Sequence, residues 1–221
     1  MATESVTIHG KSPVAFGHRH SRVIPFLATF LAVAASLLIT TVSAGAAGTS
    51  PKAQLQAAAA AMQQVPGYTF SASVGSGAAK VKIAGEYQAP DRIHEVVQIG
   101  AKPASELVMI GSEVYAKDTT GAWQRTRQAN ATTSDLRTTF AALQSASNVK
   151  QSGKAVTFTL KPKAAKALVG AQVNGTTTGK VTVADGHITQ LRYTTTANGR
   201  KVPVTIDYTV TNPAPTVAAP V

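Results

Sequence analysis

His94 in "RIHEVV" and His187 in "ADGHIT" are the two side chains past residue 48 best suited to move a proton near neutral pH. Neither has a partner at useful spacing. His94 and Glu95 are neighbours in a segment that alternates like a strand, so they point to opposite faces and form no local dyad. Asp185, Gly186 and His187 read as a turn with "DG" at its tip. The chain has no G-x-S-x-G, no H-E-x-x-H and no phosphate-cradling glycine loop. It also has no cysteine, which removes disulfides, thiolate metal ligands, cysteine nucleophiles and the acylated cysteine of a bacterial lipoprotein. The remaining acids are scattered, so the expectation is a protein that is not an enzyme, without a metal site or a cofactor. Its candidate functional residues are therefore apolar.

Residues 1–44 stand apart. A basic stretch with "HRHSR" leads into the uncharged run "VIPFLATFLAVAASLLITTVSA", and small residues follow in "GAAGTSP". This is an export signal, read either as cleaved near Ala44 or as an uncleaved anchor, since about 20 apolar residues span a bilayer. In both readings the rest of the chain works outside the cytoplasmic membrane. Without residues 1–44, which hold three of the 21 Lys and Arg and one of the ten Asp and Glu, the net charge is +9. That charge suits an anionic membrane surface or an acidic envelope polymer, or simply solubility. Export and the lack of a binding motif argue against nucleic acid.

After a linker at 45–50, "SPKAQLQAAAAAMQQV" predicts a helix with Ser50 at its cap, Pro51 at its first position and Leu55, Ala58, Ala59 and Met62 on one face. "YTFSASV", "AKVKIAGEYQ", "DRIHEVVQI" and "SELVMI" alternate as strands between Gly- and Pro-bearing turns. "GSEVYAKDTTGAW" adds a hairpin in which Trp123 packs across toward Tyr115. "SDLRTTFAALQSASNV" changes period, placing Leu136, Phe140 and Leu143 on one helical stripe behind a Ser134 cap. The strand "KAVTFTL", the short helix "PKAAKALVG" and the strands "GKVTVAD", "HITQLRYTT" and "VPVTIDYTV" complete a domain over 51–211. The Pro/Ala tail at 212–221 is expected to be disordered. The fold class is thus α+β, with an antiparallel sheet of about ten strands that is too long to stay flat. Its concave face must be covered by the helices or left hollow.

The element order, with "YQAPDRIHEVV", "ELVMIGSEVYAK" and "GAW", resembles the LppX/LprG-like, LolA-like half-barrel lipid carriers of bacterial envelopes. The phrase covers residues 88–123, and the similar order of elements runs from about 51 to 211. The resemblance implies a curved sheet with helices packed on its concave face, enclosing an apolar cavity for acyl chains. It also implies a lipid or a lipidated glycan as partner. This chain lacks the cysteine that follows the signal in those lipoproteins, so no permanent lipid anchor is expected. The apolar side chains available to line the cavity are Val81, Ile83, Val97, Leu107, Met109, Phe140, Leu143, Phe158, Leu160, Val204 and Ile206. Aromatics make up only 5% of the chain, so the sheet is short of bulk to fill its own concavity. A ligand would supply it: an acyl chain of about a dozen carbons gains on the order of 8 to 10 kcal/mol on burial, before ordering costs. The other reading is a domain of the same fold with a filled core, working as an envelope interaction module.

Overall fold

The structure is a computed structural model describing residues 49–127, 135–169, 175–197 and 200–220. The signal at 1–44, the Ser134 cap and Gly170, the last residue of "PKAAKALVG", lie outside the described residues. Helix α1 (Pro51–Gln64) forms as its sequence dictates. Ser50 Oγ accepts the Ala53 N–H at 3.2 Å, Pro51 occupies the first turn, and Leu55, Ala58, Ala59 and Met62 are the buried face. Among the described residues no helix is long and apolar enough to cross a membrane.

Six strands follow in a meander: β1 (Gly67–Val74), β2 (Val81–Gln88), β3 (Arg92–Ile99), β4 (Ser105–Ile110), β5 (Glu113–Lys117) and β6 (Trp123–Arg127). A 3₁₀ turn over Leu136–Phe140 runs into α2 (Ala141–Gln144). Then come β7 (Ser147–Ser152), β8 (Ala155–Leu160), α3 (Pro162–Val169), β9 (Thr177–Ala184), β10 (His187–Ala197) and β11 (Arg200–Val210). All eleven strands form one open antiparallel sheet in the order β6-β5-β4-β3-β2-β1-β11-β10-β9-β8-β7. The fold is the expected α+β half-barrel. Two meanders meet where β1 pairs with β11, with Tyr68 opposite Val210 and Val74 opposite Val204.

Three local expectations change. The helix foreseen over "SDLRTTFAALQSASNV" is a 3₁₀ turn and one α-helical turn, capped by Asp135, whose carboxylate accepts the Arg137 N–H at 3.0 Å. Its last residues belong instead to β7, the one strand beyond the ten expected, which sits at a sheet edge. That strand hides in the sequence because "SNVKQS" has no apolar alternation, and its register shifts between Ser147 and Lys150 around Asn148 at φ 50°. The tail is docked where disorder was expected. Val217 is 2% exposed; its N–H donates to Gln88 Oε1 and its carbonyl accepts from Arg92 Nη1, both at 2.9 Å. The tail lies close over Gly67, where a Cβ would stand 2.7 Å from Pro215 Cδ and 2.9 Å from the Ala214 side chain.

The helices form one layer on the concave face. Helix α1 lies against β7, β9 and β10, α3 lies against β8, and the 3₁₀ turn and α2 pack on α1. The core is densest beneath them, where Leu55, Met62, Phe140, Leu143, Val156, Phe158, Leu160, Val181, Ile188 and Leu191 are almost fully buried. The helix layer reaches the other half of the sheet through Tyr68 and Tyr87.

Candidate functional site

Residues directly opposite in an antiparallel pair share a face, so the register assigns every strand position to the concave or the outer side. Val81 aligns with Val74, Val204, Tyr193, Gly179 and Phe158 in one concave row. Val97 aligns with Ile83, Ala72, Ile206, Leu191 and Val181 in the next. Leu107 joins Glu95, Gly85, Phe70 and Tyr208, and Met109 joins Ile93, Tyr87, Tyr68 and Val210. Leu160, two residues beyond Phe158, shares that face. All nine strand residues named as cavity candidates therefore stand on the concave side.

They divide into two groups. Phe140, Leu143, Phe158 and Leu160 are sealed in the core, and Val97 and Val204 are buried. Val81, Ile83, Leu107, Met109 and Ile206 are half-buried. The four sealed residues lie in or beneath the helix layer over β7–β10, and four of the five half-buried ones lie beyond it on β2 and β4, although Val97 of β3 between them is buried.

Two glycines let aromatic rings lie flat on this face. A Cβ at Gly85 would stand 2.6 Å from Phe70 Cζ, and Gly179 is covered in the same way by Phe158. At the junction of the two halves Tyr68 meets Tyr87 with ring centroids 5.0 Å apart and Tyr208 at 5.5 Å, while Phe140 of the helix layer meets Tyr208 at 5.3 Å. The Tyr87 hydroxyl lies between the Pro90 carbonyl, at 3.0 Å, and the Asp135 carboxylate, which Arg137 holds with two further bonds of 2.9 and 2.8 Å. Burial and the Asp135 bond push the Tyr87 hydroxyl far above its ordinary pKa. Burial opposes the charge on Asp135, but the bonds from Arg137 and Tyr87 outweigh it and hold the carboxyl below its usual range. This network fastens the start of the 3₁₀ turn to the sheet.

Glu95 is the side chain that sequence reasoning left unused. It stands on the concave side between Gly85 and Leu107, and the Phe70 ring crosses the space over Gly85 beside it. Burial raises its carboxyl to about 7, a rise slightly offset by the charge of His94. No donor among the described residues hydrogen-bonds it. The signal was present in the alternation, which puts Glu95 on the face of Ile93 and Val97. His94 points outward, as that alternation requires, and its Nε2 lies 3.0 Å from Glu106 Oε1, with Lys117 Nζ 2.9 Å from Oε2.

Trp123 is on the outer face, half-buried and directly opposite Lys117, whose Nζ stands 5.3 Å from the ring centroid. Tyr115 pairs with Arg125 instead, so the lysine and not the tyrosine covers the indole. The turn between them is organised by Asp118, whose Oδ1 accepts from Thr120 N and Ala122 N.

The outer face of the other half is basic and rich in threonine. Lys150, Thr157, Lys180, Arg192, Thr205, Ser73 and Lys82 form one row across seven strands with no acid among them. Thr157, Lys180, Arg192 and Thr205 line an open groove of about 560 Å³ on that side.

No protein-family model matches the chain, and no curated protein matches it significantly. Solved structures do. LprF from Mycobacterium bovis aligns over 75% of this chain and 97% of its own, at 15% identity and a TM-score of 0.51. The Mycobacterium tuberculosis lipoprotein LppX aligns over 76% of this chain and 98% of its own, at 10% identity and a TM-score of 0.54. At these identities the likeness is one of architecture, and the chain has the LppX/LprG-like half-barrel fold.

Proposed function

We propose that this chain is an exported envelope protein that holds a lipid or lipidated glycan non-covalently against the open half of its concave sheet. The observation that carries the reading is the half-buried apolar face made by Val81, Ile83, Leu107, Met109 and Ile206 beside the helix-covered core. Soluble domains rarely leave a contiguous apolar face open without an occupant. The shared architecture with LppX, a lipoprotein by name, is consistent with work at the envelope. Phe140 and Leu143 form the wall of the site, packed into the core, and the ligand's acyl chains lie toward β2–β4.

The test compares lipid extracted from the full chain with that from Ile83→Trp, followed by mass spectrometry. The indole fills the open half, so the variant retains its melting temperature and loses most of its lipid. Wild-type protein that stays lipid-free after incubation with envelope lipids defeats the carrier reading. The row of Lys150, Lys180, Arg192 and Lys82 would then favour a second one, an interaction module that docks on an anionic surface.

A further inference from the structure

Within the concave face of β1–β5 and β11, Glu95 is the only acid among the described positions, and the one other charged residue is Arg200, exposed at the far end of β11. Its neighbour Val96 is 37% exposed on the outer face. An ordinary half-buried strand would carry these two in the opposite order, with the valine inside and the carboxylate in water. Turning a carboxylate toward an apolar wall costs free energy unless a donor meets it. Such a donor is missing among the described residues, although His94, Lys117 and Arg92 all stand nearby on the other face. Leu107 and the Phe70 ring flank Glu95 with apolar surface, and the residue is half-buried on the concave side.

We propose that Glu95 is the polar docking point of the bound lipid, its carboxylate accepting a hydrogen bond from a hydroxyl or ammonium group on the ligand. The proposal rests on the reading of this face as a lipid site and specifies the ligand further. Acyl chains lie along Ile83, Leu107 and Met109, and the polar end that reaches β3 must donate. A lipid that presents an anion there meets like charge, and one that lacks a donor leaves the carboxylate unpaired.

The experiment uses the full chain at pH 8 and measures displacement of the neutral fluorophore N-phenyl-1-naphthylamine by four ligands sharing one chain length. These are 1-oleoylglycerol, oleylamine, methyl oleate and oleate. Wild type should bind the two donors about tenfold more tightly than methyl oleate, as a hydrogen bond to a charged group allows, with oleate weakest. The stronger of the two donors identifies whether a hydroxyl or an ammonium is the natural fit. Glu95→Leu should bind methyl oleate at least as well as wild type and lose the discrimination. Glu95→Gln keeps shape and an acceptor, so it should retain the preference for 1-oleoylglycerol and lose that for oleylamine. Discrimination that persists in both variants overturns the role of Glu95 while the carrier reading stands, because lipid still binds. Failure of wild type to bind any of the four removes both.

Discussion

Replacing Glu95 by glutamine should change the shape of the stability curve against pH before any ligand is added. The folded protein raises this carboxyl from 4.5 to about 7, chiefly through burial. For an acid with a raised folded pKa, the folded state holds more protons than the unfolded state between the two values. Stability from this group is therefore highest below pH 4.5, falls through the interval, and reaches its full deficit above pH 7. A shift of that size corresponds to about 3 kcal/mol, and the half-open position reduces it to ~1–3 kcal/mol through screening by water. Glutamine has no proton to lose. Urea denaturation of wild type and Glu95→Gln at pH 4, 6 and 8 should give a difference near zero at pH 4 that grows to ~1–3 kcal/mol in favour of the variant at pH 8. The tyrosines on this face, Tyr68, Tyr87, Tyr193 and Tyr208, stay neutral throughout the range because burial raises all four. Across the sheet His94, Glu106 and Lys117 form the outward ion cluster. These groups are common to both proteins and largely cancel in the comparison. A difference that does not vary with pH would refute the burial argument and leave Glu95 as an ordinary solvated residue.

Two further outcomes follow from the contacts that hold the layers together. Tyr87→Phe removes a hydroxyl bonded to the Asp135 carboxylate and should cost ~1–2 kcal/mol in urea denaturation, with Arg137 still pairing the acid; an unchanged midpoint would show that the network does not fasten the 3₁₀ turn. Ending the chain after Thr211 removes the docked Val217 and uncovers the Gln88 and Arg92 contacts, so it should cost ~1–3 kcal/mol, read as a lower melting temperature. Equal melts would mean that the tail contributes nothing.

Much of this architecture is legible because its signals are local. Helix α1 declares its cap, its proline and its buried face within a few residues. The concave side can be read from strict alternation, which is why all nine strand candidates fall on it together. The separation of those candidates into sealed and open groups was not legible, since it depends on which strands the helices cover. Strand β7 escaped because an edge strand needs no apolar face, and the docked tail escaped because Pro/Ala composition says nothing of what Gln88 and Arg92 will bind. Glu95 is the instructive miss. Its face was implied by its neighbours, but a charge in a strand reads as solvated unless that implication is followed through.

The pairing of β1 with β11 also sets the order in which the molecule becomes complete. The first strand of the domain waits beside an empty position until the last strand is available, because Tyr68 and Val210 stand at opposite ends of the sheet-forming sequence. Strands β1–β6 can zip as successive hairpins, and β7–β11 can do the same around their helices. Joining the halves needs one long loop closure, which is the slow kind of contact. A chain that crosses a membrane from its N-terminus would therefore emerge with β1 unpaired along one edge, and that edge invites pairing with other chains until residues 200–210 arrive.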